Sequence, residues 1–228
     1  MKKLPELMIF DMDGLIFDTE RLFMMKKNEI LTEYGYPARQ EDYVQTIGLS
    51  GSLLREKLAE LYGPDYPADE ISAKTRAAVN TYMEENGPSV KPGVRKLLQW
   101  LAERNICCCV ASSTRRAYVE KYLRLAGLET YFSFVIGGED VKRSKPEPDI
   151  FLLACDRAGI RPGNALVLED SENGIRAAAA AGIPVICIPD LVYPSANVAA
   201  LAEAVISSAE EVTSILNIEI NLRVKSSP

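Results

Sequence analysis

Residues 7–14 read Leu-Met-Ile-Phe-Asp-Met-Asp-Gly, four apolar residues followed at once by acid and glycine. An apolar run that ends in this way is typical of a buried parallel strand. Open α/β sheets bind ligands outside the carboxyl ends of their strands, so Asp11 and Asp13 are expected to project into a crevice, where Gly14 lets the chain turn. Two carboxylates in one small space repel each other unless a cation lies between them or one stays protonated. Mg²⁺ is the natural cation for such oxygen ligands, and the stretch therefore predicts a magnesium site.

Composition excludes several functional classes. The chain has 228 residues and a formal net charge of -6, so it lacks the basic character of a nucleic-acid-binding protein. It contains no histidine, and its five cysteines show no C-x-x-C spacing, which argues against common zinc sites and against histidine-dependent nucleophiles. We expect the cysteines to be small apolar core residues in a reducing, cytoplasmic setting. No stretch approaches the length of a membrane helix, so no membrane partner is expected.

The order of predicted elements indicates a core with a helical insert. Helices are predicted at Glu20–Tyr34, Ser52–Tyr62, Ala68–Glu85, Gly93–Arg104, Arg115–Ala126, Pro148–Ala158, Gly174–Ala181 and Ala209–Leu216, and strands at Leu7–Phe10, Ile106–Ala111, Phe134–Ile136, Ala165–Leu168, Pro184–Ile188 and Ala204–Ser207. Strands alternating with helices predict an α/β, Rossmann-like doubly wound parallel sheet. We assign residues 1–18 and 88–228 to this core and residues 19–87 to an inserted α-helical domain. The tail 218–228 is left open between partial disorder and an added edge segment.

Three further predicted strand ends carry polar residues to the same edge of the sheet. Ser112–Thr114 offer hydroxyls and amides to an anion, although such residues also cap helices. Lys145 precedes a proline and can offer a compact charge to a phosphate, although alone it reads as a solvated lysine in a basic loop. Glu169 and Asp170 follow an apolar strand, where Asp170 can also cap the next helix. Together these residues predict Mg²⁺-assisted phosphoryl transfer.

This arrangement resembles the haloacid dehalogenase superfamily over nearly the whole chain. The first family motif matches Asp11–Thr19, the second matches Ser112, the third matches Lys145, and the fourth matches Glu169–Gly174. The helical insert directly after the first motif looks like the small α-helical cap domain of the β-phosphoglucomutase-like branch.

The resemblance implies a role for each matched residue. Asp11 would be the nucleophile that forms an aspartyl-phosphate. Asp13 would protonate the leaving oxygen and then activate water, an acid–base role worth about 10²–10⁴ in rate. Ser112 and Lys145, with Ser113 beside them, would bind the phosphoryl oxygens.

The resemblance also implies a metal ligand set. Mg²⁺ would be bound by Asp11, the backbone carbonyl of Asp13 and Asp170, with Glu169 in or beside the metal shell. A carboxylate attacks a phosphate dianion only when positive charge offsets their repulsion, and the metal and the lysine would supply it.

Other reactions of the family fit less well. Asp13 argues against dehalogenases, which use a single aspartate and no metal, and also against phosphonatases. β-Phosphoglucomutase is a closer alternative, but it carries a cap histidine where this chain has Phe23. It also has an arginine after its cap loop, which here reads Gly48–Gly51 without one. Arg115 and Arg116 could still bind a distal phosphate, which keeps the mutase open.

We therefore expect a Mg²⁺-dependent phosphatase that acts on a small phosphorylated metabolite such as a sugar phosphate, in a monomer or weak homo-oligomer. The first alternative is a β-phosphoglucomutase-type phosphotransferase. The second alternative is a non-catalytic metal-binding regulator. A lid that opens and closes is expected to hinge near Asp18–Glu20 and Gly87–Pro92. The residues expected to set substrate specificity are Asp18, Thr19, Phe23, Gly48, Leu49, Ser50, Thr114, Arg115 and Arg116.

Overall fold

A six-stranded, fully parallel sheet forms the centre of the molecule. The computed structural model describes residues 4–49 and 51–224, and from residue 218 onward only the backbone. The strands are Leu7–Phe10 (β1), Cys107–Ala111 (β2), Phe134–Ile136 (β3), Ala165–Glu169 (β4), Val185–Cys187 (β5) and Ala204–Val205 (β6). Their order is β3-β2-β1-β4-β5-β6, with Phe10 of β1 aligned with Val110 and Leu168 on either side. The strand that leads into Asp11 is therefore central, and its carboxyl end lies between those of β2 and β4.

Helices connect the strands and form the segment between β1 and β2. The helices of the described residues are Thr19–Glu33 (α1), Gln40–Val44 (α2), Gly51–Tyr62 (α3), Ala68–Asn86 (α4), Val94–Ala102 (α5), Arg116–Leu125 (α6), Asp149–Ala158 (α7), Glu172–Ala180 (α8), Ala196–Ala199 (α9) and Glu210–Val224 (α10).

The two faces of the sheet bury two separate hydrophobic clusters. Met8 and Phe10 of β1 pack into one cluster with side chains of α5, α6 and α10. Leu7 and Ile9, which point to the opposite face, pack into another with side chains of α7, α8 and α9. Because side chains alternate across a strand, an unbroken apolar run is what a sheet covered on both sides requires. The prediction of a doubly wound α/β core is confirmed.

The inserted segment has a hydrophobic cluster of its own. Helices α1–α4 fill residues 19–86, and the structure describes no strand among them. Members of α1, α3 and α4 pack together around Leu31 and Ile71, both almost completely buried. The last turns of α4 face the core instead, since Val79 and Met83 belong to the cluster that covers β1. The insert therefore contacts the core along one face of α4.

Most predicted elements are present with boundaries shifted by one or two residues, and the differences concern short or terminal elements. Helices α2 and α9 were not predicted, because four or five residues are too few to show helical periodicity. The alternative of an added edge segment is wrong for residues 218–224, because these residues continue α10. Val212 and Leu216 anchor that helix in the core. Residues 225–228 lie outside the described residues.

The cysteines occupy the interior, as predicted. All five are free thiols, and only Cys107 is not fully buried. Burial raises the pKa of Cys108 to about 12, so this thiol stays protonated and apolar at neutral pH. Within the described residues, no helix is both long and apolar enough to cross a membrane.

The core predicts a clear contrast between two leucines that both lie in helices. Leu97 of α5 is 0% exposed, whereas Leu53 of α3 is 62% exposed. Leu97→Ala is expected to lower the free energy of unfolding by about 2–5 kcal/mol because it leaves a cavity. Leu53→Ala is expected to change it by less than about 0.5 kcal/mol. Urea unfolding followed by circular dichroism checks both values, and equal losses would contradict this assignment of the core.

Candidate active site

The polar residues after β1, β2 and β4 meet at one edge of the sheet because these strands are neighbours. The chain turns tightly after β1, where the Gly14 amide donates to the Phe17 carbonyl at 3.0 Å. Gly14 has a φ of +75°, and a Cβ there would lie 2.2 Å from Oδ2 of Asp170. A side chain at this position would collide with the carboxylate that follows β4, so glycine is required by both conformation and space.

Lys145 connects the ends of three neighbouring strands, β1, β2 and β4, at the centre of the site. Its Nζ donates to Oδ1 of Asp11 at 2.5 Å, to Oε1 of Glu169 at 2.6 Å and to the Ala111 carbonyl at 3.2 Å. The lysine side chain is only 6% exposed, so the reading of a solvated lysine in a basic loop is wrong. Burial lowers the pKa of Lys145, but the charges of Asp11 and Glu169 outweigh it and raise the pKa above its usual range. The ammonium therefore remains charged.

Asp13 lies among hydroxyl groups rather than cations. Its Oδ2 accepts hydrogen bonds from Thr114 Oγ1 at 2.7 Å and from Ser112 Oγ at 3.4 Å. The nearby side chain of Thr19 also lowers the pKa of this carboxyl group. Burial raises the pKa of Asp13, and these hydrogen bonds only partly oppose the change. Asp13 therefore holds a proton more readily than an exposed aspartate does.

Glu169 is completely buried, and both of its oxygens are engaged. While Oε1 accepts from Lys145, Oε2 accepts from the amides of Asp170 and Ser171, each at 3.0 Å, and from Ser171 Oγ at 2.9 Å. These contacts favour a role in holding Lys145 and the loop after β4. That Glu169 lies in or beside a metal shell stays a prediction.

Asp170 differs from its neighbour because its carboxylate accepts no hydrogen bond from any residue that the structure describes. Burial raises the pKa of Asp170 well above its usual range, and the nearby charges of Glu169 and Asp11 raise it further. An acidic side chain in such surroundings is poorly compensated. It is available to a ligand that brings positive charge.

The charge balance of the cluster fits a divalent cation. Four carboxylates gather around one ammonium: those of Asp11, Asp13, Glu169 and Asp170. Burial raises the pKa of Asp11 to about 8 even though Lys145 opposes the change, so the acids are not all ionised together without further positive charge. The described residues contain no ready-made cage of three or more acidic, histidine or cysteine ligands. Mg²⁺ commonly takes only one or two carboxylates and keeps several waters, so Asp11 and Asp170 fit it.

A cavity of about 270 Å³ opens directly beside Asp13. Its walls come from one face of α4 and from α6, and the predicted specificity residues Thr19, Phe23, Thr114 and Arg115 line it. The other lining residues are Arg76, Val79, Asn80, Met83, Tyr118 and Tyr122. This cavity therefore combines apolar walls with two arginines close to the acidic cluster.

The remaining predicted specificity residues lie elsewhere. Arg116 pairs with Asp140 at 3.5 Å and does not line the cavity. Asp18 forms an ion pair with Arg21 at 2.9 Å.

The cap loop lies close to the fourth motif. The Gly48 carbonyl accepts a hydrogen bond from Asn173 Nδ2 at 3.1 Å, and Leu49 follows it. Ser50 lies outside the described residues. Ser113, predicted to bind phosphate, is exposed, and its backbone carbonyl lies against Gly138.

Sequence reasoning missed several polar residues that surround the site. Glu20 accepts a hydrogen bond from Tyr43 at 3.0 Å, and Asn80 accepts one from Tyr122 at 2.6 Å. These pairs join residues far apart in the chain, and no local pattern identifies them. Asp190 had a signal, since it is an acid shortly after the carboxyl end of β5, but it stood alone.

Gly174 supplies a test of how tightly the acidic cluster is built. A Cβ at this position would lie 1.8 Å from Cδ of Glu169, whose carboxylate is fixed by Lys145 and by the loop amides. Gly174→Ala is therefore expected to lower the free energy of unfolding by about 1–3 kcal/mol. Gly163→Ala, where a Cβ meets nothing within 4 Å, is the matched control and is expected to stay within about 0.5 kcal/mol. Thermal unfolding measures both, and equal values would mean that Glu169 can move aside.

Comparison with known proteins assigns the chain to a family. Residues 8–188 match the family described as haloacid dehalogenase-like hydrolase. The chain is 37% identical over 190 residues to a "Probable pseudouridine-5'-phosphatase" of Drosophila melanogaster, covering 80% of each protein. It is 34% identical over 179 residues to the fructose-1-phosphate phosphatase YqaB of Escherichia coli, covering 77% of this chain and 92% of that protein. β-Phosphoglucomutase of Clostridium difficile has the same fold, with a TM-score of 0.73 at 21% identity over 97% of this chain and 99% of that one. The chain therefore belongs to the haloacid dehalogenase-like hydrolase family.

Proposed function

We propose that this protein is a Mg²⁺-dependent phosphatase that hydrolyses a small phosphorylated metabolite through an aspartyl-phosphate on Asp11. The observation that carries the proposal is the contrast between two neighbouring carboxylates. Asp11 accepts a hydrogen bond from the ammonium of Lys145, whereas the hydrogen bonds that Asp13 accepts from described side chains come from hydroxyl groups. Two acids whose surroundings differ in this way can divide the roles of nucleophile and general acid.

In this proposal Asp11 would attack phosphorus. Its Oδ1 is held by Lys145, and no residue of the described chain donates a hydrogen bond to its Oδ2. Attack by this oxygen forms the aspartyl-phosphate as the bond from phosphorus to the leaving oxygen breaks. Lys145 and Ser112 would hold the phosphoryl oxygens and offset the charge that gathers on them.

Asp13 would transfer the protons. In the first step its carboxylic acid donates a proton to the leaving oxygen. In the second step the carboxylate takes a proton from the water that attacks the aspartyl-phosphate and releases inorganic phosphate. Thr114 and Ser112 donate hydroxyl hydrogen bonds to the carboxylate, and Thr19 lies beside it. Histidine, the most frequent acid–base residue, is absent from the chain, so this assignment gives the acid–base role to a carboxyl group.

The residues that would hold Mg²⁺ are Asp11, Asp170 and the backbone carbonyl of Asp13. When bound, the metal supplies Lewis-acid charge that allows a carboxylate to approach a phosphate dianion. The uncompensated carboxylate of Asp170 supports this assignment. Glu169 would act on the metal site indirectly, by orienting Lys145 and the loop that carries Asp170.

The leaving group would occupy the cavity of about 270 Å³ beside Asp13. A second cavity of about 450 Å³ lies among the helices of residues 19–87, and no predicted catalytic residue lines it. We propose that residues 19–87 act as a cap domain over the first cavity. The names of the fly and E. coli relatives describe phosphate esters of a ribosyl and a fructosyl compound, which supports a sugar phosphate as the substrate class.

The proposal is tested by phosphate release from a panel of sugar phosphates, nucleotides and phosphoglycolate, with Mg²⁺ and with EDTA. Metal-dependent release from at least one sugar phosphate is expected. The panel includes β-glucose 1-phosphate with a trace of the 1,6-bisphosphate. Formation of glucose 6-phosphate with little free phosphate would instead identify a mutase. Binding of Mg²⁺ without turnover of any compound would favour a regulator.

The two aspartates predict different defects. Asp11→Asn is expected to lower kcat on the order of 10⁴-fold or more, because the nucleophile is lost. Asp13→Asn is expected to lower it by about 10²–10⁴-fold, because the acid–base group is lost from both steps, and steady-state phosphate release measures both defects. Asp65→Asn, in an exposed loop away from the site, is the matched control and should match the wild type. Turnover by Asp11→Asn near the control rate would show that Asp11 is not the nucleophile.

A further inference from the structure

Asp190 is a buried carboxylate that the proposed chemistry does not use. It lies three residues after the end of β5, and its side chain is only 2% exposed. Its Oδ1 accepts from Lys91 Nζ at 2.5 Å and from Arg21 Nη1 at 2.7 Å. Its Oδ2 is buried and has no hydrogen-bond partner among the residues that the structure describes. The charge of this group is therefore compensated by two cations on a single oxygen, both from distant parts of the chain.

The two cations lie on the two chain segments that connect the core with the inserted helices. Arg21 is in the first turn of α1, and Lys91 lies between α4 and α5. These segments also pair with each other. The Asp18 amide donates to the Ser89 carbonyl and the Lys91 amide to the Ile16 carbonyl, both at 2.9 Å. Asp190 therefore ties both segments to the core where they run side by side.

The chain segment that Arg21 anchors also lies beside Asp13, the proposed acid–base group. Thr19, two residues before Arg21, accepts a hydrogen bond from the Gly14 amide at 3.1 Å, lines the same cavity as Asp13 and lowers the pKa of that carboxyl group. Asp190 also packs on this loop, since a Cβ on Gly14 would lie 3.5 Å from its Cβ. Movement of the first turn of α1 away from Asp190 would draw the Thr19 hydroxyl away from Asp13.

We propose that Asp190 is a positioning residue, which through Arg21 holds the first turn of α1 so that Thr19 stays beside Asp13, and through Lys91 anchors the returning segment. The two ion pairs of Asp190 differ in strength. Lys91 is largely buried, whereas Arg21 is half exposed and also contacts Asp18 Oδ1 at 2.9 Å. The ion pair with Lys91 is the fixed anchor, and the ion pair with Arg21 is the one that can break. The catalytic consequence of this positioning by Asp190 rests on the proposed function, but the structural consequence does not.

Amide hydrogen exchange, read by mass spectrometry, tests the structural part without any substrate. Arg21→Gln is expected to speed exchange in residues 14–22 roughly threefold to fivefold and to leave residues 87–93 unchanged. Lys91→Gln is expected to speed exchange in both segments, by about tenfold or more, because it leaves a buried charge short of a partner. Asp190→Asn should act on both segments as well.

Two controls separate this anchor from a general loss of surface charge. Asp18→Asn removes the other partner of Arg21 and should leave exchange in both segments as in the wild type. Lys96→Gln removes a cation from an exposed pair with Glu210 and should also have no effect. If Asp18→Asn loosens residues 14–22 as much as Arg21→Gln does, or if Arg21→Gln changes nothing, the role of Asp190 through Arg21 is refuted.

Steady-state kinetics test the positioning role. Arg21→Gln is expected to lower kcat about fivefold with a smaller change in KM, because Thr19 is held less firmly beside Asp13 while the phosphate-binding residues stay in place. Arg21→Lys, which keeps the charge, should restore most of kcat. An effect on KM alone, or equal losses in the lysine and glutamine variants, would overturn the positioning role. Absence of phosphatase activity in the wild type would refute the proposed function, and hydrogen exchange would still decide whether Asp190 anchors the segments.

Discussion

The site depends on one ammonium group held between the ends of three neighbouring parallel strands. Lys145 contacts Asp11 after β1 and Glu169 at the end of β4, in surroundings from which water is almost excluded. Carboxylates this close and this deeply buried repel each other strongly unless a cation lies between them. The lysine therefore allows the acidic loops after neighbouring strands to converge. Any anion that enters the site meets a charge that the fold has already fixed in position.

Convergence also needs space, which two glycines provide. Gly14 leaves room for Asp170, and Gly174 leaves room for Glu169. A Cβ at Gly174 would collide with a carboxylate that Lys145 and the loop amides hold, and a Cβ at Gly14 would collide with the carboxylate of Asp170. The compactness of the cluster is therefore a steric property as much as an electrostatic one. It leaves the carboxylate of Asp170 close to Asp11 yet without a hydrogen-bond donor among the described residues, in the surroundings of a cation ligand.

The sequence predicted the features that local patterns encode. Apolar runs ending in polar residues located the central strands and, with the order of strands and helices, implied that Asp11, Ser112, Lys145 and Asp170 share one edge. Features that arise from distant parts of the chain could not be found in this way. The burial of Lys145 appears only when β1 and β4 are side by side. The pairing of Asp190 with Lys91 joins residues ninety-nine positions apart, and its local sequence offers only a single acid after a strand.

The position of the helical insert follows from the same geometry. It begins directly after the turn that carries Asp13, and Thr19 in its first turn lies beside that carboxylate. Asp13, the proposed general acid, and the start of the proposed cap thus belong to one continuous loop, so movement of one is expected to affect the other. A cap inserted after another strand could cover the site without affecting Asp13. Insertion here places the first turn of α1 beside Asp13, the proposed acid–base group, and Asp190 of the core forms an ion pair with Arg21 in that turn.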